Sequence, residues 1–177
     1  TKHWQRWKNP NNSMIVIGID PGTATTGYGI IEDDRTGKIK VVDYGTIVTE
    51  PGITSEKRLK IIYEEISKII DLHHPESGAV EKLFFQKNVT NAIAVGQARG
   101  VLLLALASSE ISVFEYTPNE VKLSISGYGS ADKKQVQKMV QTLLDLPELP
   151  QPDDAADALA IAICHLHSIG YQRLIQE

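Results

Sequence analysis

A strongly apolar segment near the start of the chain ends in a carboxylate. Residues 14–20 read MIVIGID, and residues 27–33 read GYGIIED after a turn that contains Pro21 and Gly22. Continuous β-branched runs on either side of such a turn predict two strands of a buried hairpin. A carboxylate at position 20 costs free energy there unless something neutralises it. Considered alone, Asp20 is explained equally well as a turn cap or as a ligand.

The remaining pattern predicts an α/β fold. A third strand is predicted over 37–49, a fourth from 77 onward in SGAVEKLFF and a fifth over 111–116. Helices are predicted over 55–72, 88–109 and 118–126, then from Ser130 or Asp132 to Leu146, and from Pro152 or Asp153 to about His167. Three antiparallel strands followed by alternating helices and strands indicate a mixed five-stranded sheet. In this sheet a three-stranded antiparallel meander continues into parallel strands, and helices flank the sheet.

Length and cysteine content limit the class of protein. A chain of 177 residues with 42% hydrophobic residues fits one domain. We expect that domain to span 14–177 and to follow a poorly ordered segment, 1–13, which is either a native extension or a cloning remnant. The longest uncharged apolar run, GVLLLALASS, is shorter than the roughly 20 residues that a membrane helix needs. Because the single Cys164 permits no internal disulfide, we expect a cytoplasmic protein without a membrane partner.

The charge distribution qualifies the net charge of −4. Between Lys82 and Lys138 the chain carries seven basic and four acidic residues, which is a local excess of three positive charges. Lys134 and Lys138 are spaced to share one helix face. This segment suits contact with nucleic-acid phosphates, although an ordinary solvated surface explains it as well.

Three more acids occupy unusual positions. Glu81 follows the apolar residues SGAV, while Asp154 and Asp157 share one face of the last helix among alanines that permit close packing. Carboxylates that gather repel one another unless a cation lies between them. Oxygen ligands suit Mg²⁺ or Mn²⁺, and two such ions about 3.5–4 Å apart assist phosphodiester hydrolysis. Asp154 and Asp157 are each explained by a favourable first helical turn, whereas Glu81 interrupts a buried strand and is less easily explained by structure alone. The four acids together favour a metal site.

Six motifs together resemble the bacterial RuvC-type Holliday junction resolvases. They are GIDPGTATTGYGII, AVEKLFF, NAIAVGQARGVLLLA, FEYTPNEVK, GSADKKQVQKMVQTLL and PDDAADALAIAICHLH, and they follow the family's order and spacing from Met14 to Ser168. The resemblance implies a ribonuclease H-like fold and a homodimer formed through helix 88–109. It also implies metal-dependent paired nicking of four-way DNA junctions in recombination and repair, which leaves 5′-phosphate and 3′-hydroxyl ends. Branch-migration helicases are further implied partners.

The same resemblance assigns site residues. The catalytic and metal-binding acids would be Asp20, Glu81, Asp154 and Asp157, holding two Mg²⁺ ions with Mn²⁺ as a substitute. Asp154 is preferred to Asp153 as the ligand because it precedes Asp157 by three residues. The DNA-binding residues would be Phe84, as an aromatic at the junction centre, with Lys122 and Lys133; the charge pattern adds Lys134.

Several alternatives remain open from the sequence. The acids suit equally another ribonuclease H-like nuclease, acting on branched DNA or RNA–DNA hybrids. A non-catalytic junction-binding module would be expected to lack one or more of the four acids, and none is missing. GIDPGT also resembles the first phosphate loop of actin-like ATPases, although those proteins need two such domains. Gly27 and Gly29 are consistent either with close approach of a DNA backbone or with hairpin geometry. His165 and His167 face different ways on a helix, so they are not expected to share a metal.

Overall fold

Five strands form one mixed sheet in the computed structural model, which describes residues 13–34, 36–82 and 89–176. The strands are β1 (Met14–Asp20), β2 (Thr25–Asp33), β3 (Ile39–Val48), β4 (Ser77–Glu81) and β5 (Ser112–Tyr116). Their order across the sheet is β3-β2-β1-β4-β5. β1 to β3 pair antiparallel, whereas β4 is parallel to β1 and to β5. The predicted meander followed by parallel strands is confirmed.

In the part of the chain that the structure describes, five helices cover the two faces of this sheet. They are α1 (Ser55–His73), α2 (Val89–Ser108), α3 (Pro118–Ser126), α4 (Lys133–Leu143) and α5 (Asp153–Gln176). One apolar core lies between the sheet and α1 with α2, and a second lies between the sheet and α3, α4 and α5. Among the helices that the structure describes, none combines the length and the apolar character that crossing a membrane requires.

Helix boundaries depart from the sequence-based prediction at two places. α4 ends at Leu143, short of the predicted Leu146, because Asp145 adopts a left-handed backbone with a φ of 51°. α5 continues to Gln176, beyond the predicted end near His167, since Gly170 is tolerated inside the helix. At the start of α4, Asp132 rather than Ser130 is the cap, and its side chain accepts a hydrogen bond from the backbone N–H of Gln135 at 2.8 Å.

Glycines on β1 and β2 let α5 lie directly against the sheet. A Cβ at Gly18 would lie 2.2 Å from the carbonyl oxygen of Ala158, and one at Gly27 would lie 2.0 Å from that of Asp154. Any larger residue at these positions would push the helix away. Gly27 and Gly29 therefore serve helix packing, which neither of the two sequence-based explanations had included.

Candidate active site

The register of the sheet brings the first two acids together. β1 and β4 are parallel, with Ile19 opposite Val80. The next residue on each strand is therefore an acid, Asp20 on β1 and Glu81 on β4, and both lie at the carboxyl edge of the sheet. Both are half-buried. Adjacent carboxyl ends of parallel strands are a common location for active sites in sheets of this kind.

The start of α5 supplies the other two acids. Close packing of α5 on Gly27 places its first turns above the end of β1. Asp154 and Asp157 lie in this part of the helix and are half-buried. Asp157 lines the same cavity as Asp20 and Glu81, whereas Asp154 is not among the residues that line it.

The proton affinities of these acids reflect their crowding. Burial, followed by the charges of Glu81, Asp157 and Asp154, raises the pKa of Asp20 from 3.8 to about 8. Burial and the charge of Asp157 raise the pKa of Glu81, and burial likewise raises the pKa of Asp157 against the opposing effect of Lys133. Neutralising charge among these carboxylates would lower all three pKa values.

The cavity between these elements has a volume of about 250 Å³. Among the described residues, its polar lining comprises Asp20, Glu81, Asp157, Lys122 and Lys133. Apolar residues from the starts of α3 and α4 and from α5 complete the wall: Pro118, Val121, Val136, Ala160 and Ile161. Acids and two lysines in one cavity suit a phosphate group that is approached by a nucleophile.

An oxygen-only donor set of this composition suits a hard divalent cation such as Mg²⁺ or Mn²⁺. Within the ranges that the structure describes, however, no three His, Cys, Asp or Glu side chains are already spaced to hold a metal ion. The ammonium group of Lys133 instead contacts Asp157, with Nζ 3.1 Å from Oδ2.

Asp153 has different surroundings from Asp154. Its Oδ2 lies 3.2 Å from Nζ of Lys133, and its Oδ1 accepts a hydrogen bond of 2.9 Å from Nε2 of Gln137. The hydrogen bond from Gln137 and the charge of Lys133 lower the pKa of Asp153. Asp153 therefore belongs to the contact between α4 and α5, and it does not line the cavity.

The predicted DNA-binding residues are distributed around the cavity. Lys122 on α3 is half-buried and lines it, as does Lys133 at the start of α4. Lys134 and Lys138 are exposed on α4, away from the lining. Phe84 lies outside the described residues, as do residues 1–12 of the predicted N-terminal segment.

Sequence reasoning missed Arg99. Its Nε donates to the carbonyl oxygen of Glu81 at 3.2 Å, and its guanidinium forms an ion pair with Glu115 on β5. Arg99 therefore ties α2 to the end of β4 that carries a candidate ligand. The sequence did contain a sign of this role, because Arg99 is the one charged residue in the sequence of α2.

The mixed sheet, its helices and the carboxylates at its edge define a class of protein, the nucleases of ribonuclease H-like fold. The family profile described as Crossover junction endodeoxyribonuclease RuvC matches residues 16–165. Crossover junction endodeoxyribonuclease RuvC of Thermotoga maritima is 54% identical over 165 residues, which cover 93% of this chain and 98% of the relative. The protein of the same name from Fusobacterium nucleatum is 54% identical over 157 residues, covering 89% and 82% respectively.

A comparison with solved structures agrees with the family match. T. thermophilus RuvC in complex with Holliday junction substrate matches with a TM-score of 0.84 and 34% identity, over 88% of this chain and 94% of that one. The chain belongs to the RuvC family of crossover junction endodeoxyribonucleases. The expectation of a junction-resolving endonuclease with a ribonuclease H-like fold is thereby confirmed, in preference to a nuclease of RNA–DNA hybrids or a non-catalytic module.

Proposed function

We propose that Asp20, Glu81, Asp154 and Asp157 form the centre at which this endonuclease nicks a four-way DNA junction with the help of divalent cations. The observation that carries this proposal is that Asp20, Glu81 and Asp157 line one cavity together with two lysines. Burial and the neighbouring carboxylates raise the pKa of Asp20, which agrees with a site that a cation would stabilise. Two Mg²⁺ or Mn²⁺ ions held by these carboxylates would lower the pKa of the attacking water and stabilise charge at the leaving 3′-oxygen. The products are 5′-phosphate and 3′-hydroxyl ends.

The chain's own residues divide the remaining work. Asp20 and Glu81 stand on strands and Asp157 on a helix packed against those strands, so the backbone fixes their positions. Lys122 and Lys133 face the same cavity and provide positive charge for the phosphate that is cleaved. Lys134 and Lys138, exposed on α4, suit a neighbouring phosphate of the same strand. For Phe84 the proposal of a stacking contact at the junction centre rests on the family motif.

A second copy of the chain completes the proposed assembly. The outward face of α2 carries Ile93 and Leu104, which are 57% and 58% exposed, with Gly100 between them. The opposite face, with Ala98 and Leu102, is buried against the protein's own sheet. An exposed apolar stripe of this kind suits a symmetric helix contact, and a two-fold dimer presents two sites to two strands of a junction.

Two further proposals follow from the family alone. Branch-migration helicases are proposed as functional partners, and action on cellular DNA implies a cytoplasmic location. Neither concerns a particular side chain.

Asp20→Asn tests the proposed centre. The purified wild-type protein and the variant are offered a four-way junction, a linear duplex and an RNA–DNA hybrid, each with Mg²⁺ and with EDTA. We expect paired, metal-dependent nicks in the junction from the wild type, and junction binding without nicking from the variant. Full nicking by Asp20→Asn would refute the assignment.

A further inference from the structure

The ion pair at the rim of the cavity involves three side chains from the starts of two helices. Nζ of Lys133 lies 3.1 Å from Oδ2 of Asp157 and 3.2 Å from Oδ2 of Asp153. Lys133 is the first residue of α4, and both aspartates lie in the first turns of α5. A single ammonium group is thus shared between an acid that lines the cavity and an acid outside it.

The acid outside the cavity is itself held in place. Gln137 stands one turn after Lys133 on α4, and only 7% of it is exposed. Its Nε2 donates to Oδ1 of Asp153 at 2.9 Å. Both carboxylate oxygens of Asp153 are therefore used by α4, one by Gln137 and the other by Lys133. This leaves Asp153 poorly placed to serve the cavity as a ligand.

We propose that Asp153 is a positioning residue, which holds the ammonium group of Lys133 at the cavity rim and limits its pairing with Asp157. The inference rests on the proposed four-carboxylate centre, since it concerns what Lys133 does to one of those acids. It also gives the two adjacent acids separate roles: Asp154 is part of the proposed centre, and Asp153 pairs with Lys133.

Lys133 and a bound cation would compete for Asp157. Within the described part of the chain, Lys133 has two carboxylate partners, Asp153 and Asp157. If Asp153 is removed, the ammonium group is left with Asp157 alone and pairs with it more closely. A cation that needs Asp157 must then displace that lysine. Removal of a carboxylate that is not a ligand should consequently weaken cation binding, and only through Lys133.

A double-mutant cycle in cation binding shows whether Asp153 acts through Lys133 or directly on the cation. The wild type, Asp153→Ala, Lys133→Ala and the double variant are titrated with Mn²⁺ in the absence of DNA, and binding is followed by electron paramagnetic resonance. Loss of a side chain that is hydrogen-bonded to a metal ligand weakens metal binding by about 10–100-fold, and the lower end applies to Asp153, which acts on Asp157 through Lys133. We expect Asp153→Ala to raise the Mn²⁺ dissociation constant about tenfold in the wild-type background and less than about twofold in the Lys133→Ala background.

Two results would overturn the inference. An equal loss of Mn²⁺ affinity in both backgrounds would make Asp153 a ligand, and unchanged affinity in the wild-type background would remove any role in positioning Lys133. Single-turnover nicking gives a second measurement: the Mg²⁺ concentration for half-maximal rate should rise in Asp153→Ala, with the rate at saturating Mg²⁺ nearly kept.

The controls distinguish this inference from the function on which it rests. Glu148→Ala removes an exposed acid from the segment just before α5 and should leave Mn²⁺ binding unchanged. Circular dichroism establishes folding, and Asp153→Asn replaces Asp153→Ala in the cycle if the alanine variant is unfolded. If Asp20→Asn nicks normally, the proposed centre fails; if Asp20→Asn is inactive but the cycle is additive, only the role of Asp153 fails.

Discussion

The two ends of β4 lie against different segments of α5, and the polar groups at these two ends differ in chemistry. At one end Glu81 meets Asp157, in a group of acids whose charges raise one another's pKa values. At the other end Ser77 meets His165, with the Ser77 Oγ 2.8 Å from Nε2. Nδ1 of the same ring lies 2.9 Å from the hydroxyl oxygen of Tyr116 on β5. The first cluster is acidic and half-buried, whereas the second is neutral and fully hydrogen-bonded.

β4 and α5 hold both clusters because the two clusters are separated by similar distances along the strand and along the helix. Eight residues of helix from Asp157 to His165 rise about 12 Å, and four residues of strand from Ser77 to Glu81 extend about 13 Å. His165 is fully buried and therefore fixes α5 on the sheet. The comparison indicates that the neutral end provides the stability that the acidic end lacks.

The largest expected difference between the two ends is in catalysis. Glu81→Gln should reduce the single-turnover nicking rate by at least about a thousandfold, because it removes a charged group of the reaction centre. Ser77→Ala, at the other end of the same strand, should leave the rate of the folded protein unchanged. Comparable rates for the two variants would remove the functional distinction between the clusters.

For the free energy of unfolding, we expect substitutions at the neutral end to cost more than substitutions at the acidic end. His165→Ala removes both hydrogen bonds and leaves a cavity, so it should lower the free energy of unfolding by about 2–4 kcal/mol in urea denaturation. Asp20→Asn should instead stabilise the metal-free protein at pH 8.5 by about 1–2 kcal/mol, since it removes a half-buried charge. A destabilising Asp20→Asn under these conditions would contradict the account of the acidic end.

The pH dependence of stability sharpens the description of the neutral end. Burial lowers the pKa of His165 from 6.5 to about 4. Between these values the unfolded chain binds a proton that the folded protein does not, so stability is present above pH 6.5 and is lost as the pH falls toward 4. The stability advantage of the wild type over His165→Gln should shrink by about 2–3 kcal/mol across this interval. Parallel pH curves for the two proteins would show that His165 is not held neutral.

A smaller effect is expected where the helix approaches the sheet. Gly27→Ala places a Cβ against the carbonyl oxygen of Asp154, and overpacking of this kind costs about 1–3 kcal/mol. The shift of α5 should also slow nicking. Gly170→Ala lies on the same helix, where a Cβ would meet no atom of another described element within 4 Å. It should be neutral or stabilising by up to about 1 kcal/mol in thermal denaturation. Equal effects of the two substitutions would argue against the close packing of α5.

Much of the fold and part of the site were predictable from local pattern. Asp20 and Glu81 each end an apolar strand, so their positions at one sheet edge follow from strand order and parallel pairing. The cap of α3 was equally readable, because Thr117 and Pro118 begin a helix with a capping box. These features depend on neighbours in sequence.

The remainder depends on long-range packing. His165 bonds to Ser77 across 88 residues, and a histidine in an alanine-rich helix gives no sign of that partner. The glycines opposite α5 have several possible uses, and only the position of the helix decides between them. The separate roles of Asp153 and Asp154 likewise depend on where Lys133 and Gln137 lie, which spacing alone does not specify.

Proton release on cation binding tests the central claim most directly, namely that a divalent cation neutralises the acids around Asp20. With a pKa of about 8, Asp20 is protonated at pH 7 in the metal-free protein and must lose that proton to become a ligand. Calorimetric titration with Mn²⁺ in buffers of different ionisation enthalpy counts the protons. The account predicts close to one proton released by the wild type at pH 7 and about one fewer by Asp20→Asn. The same proton count for both proteins would contradict it.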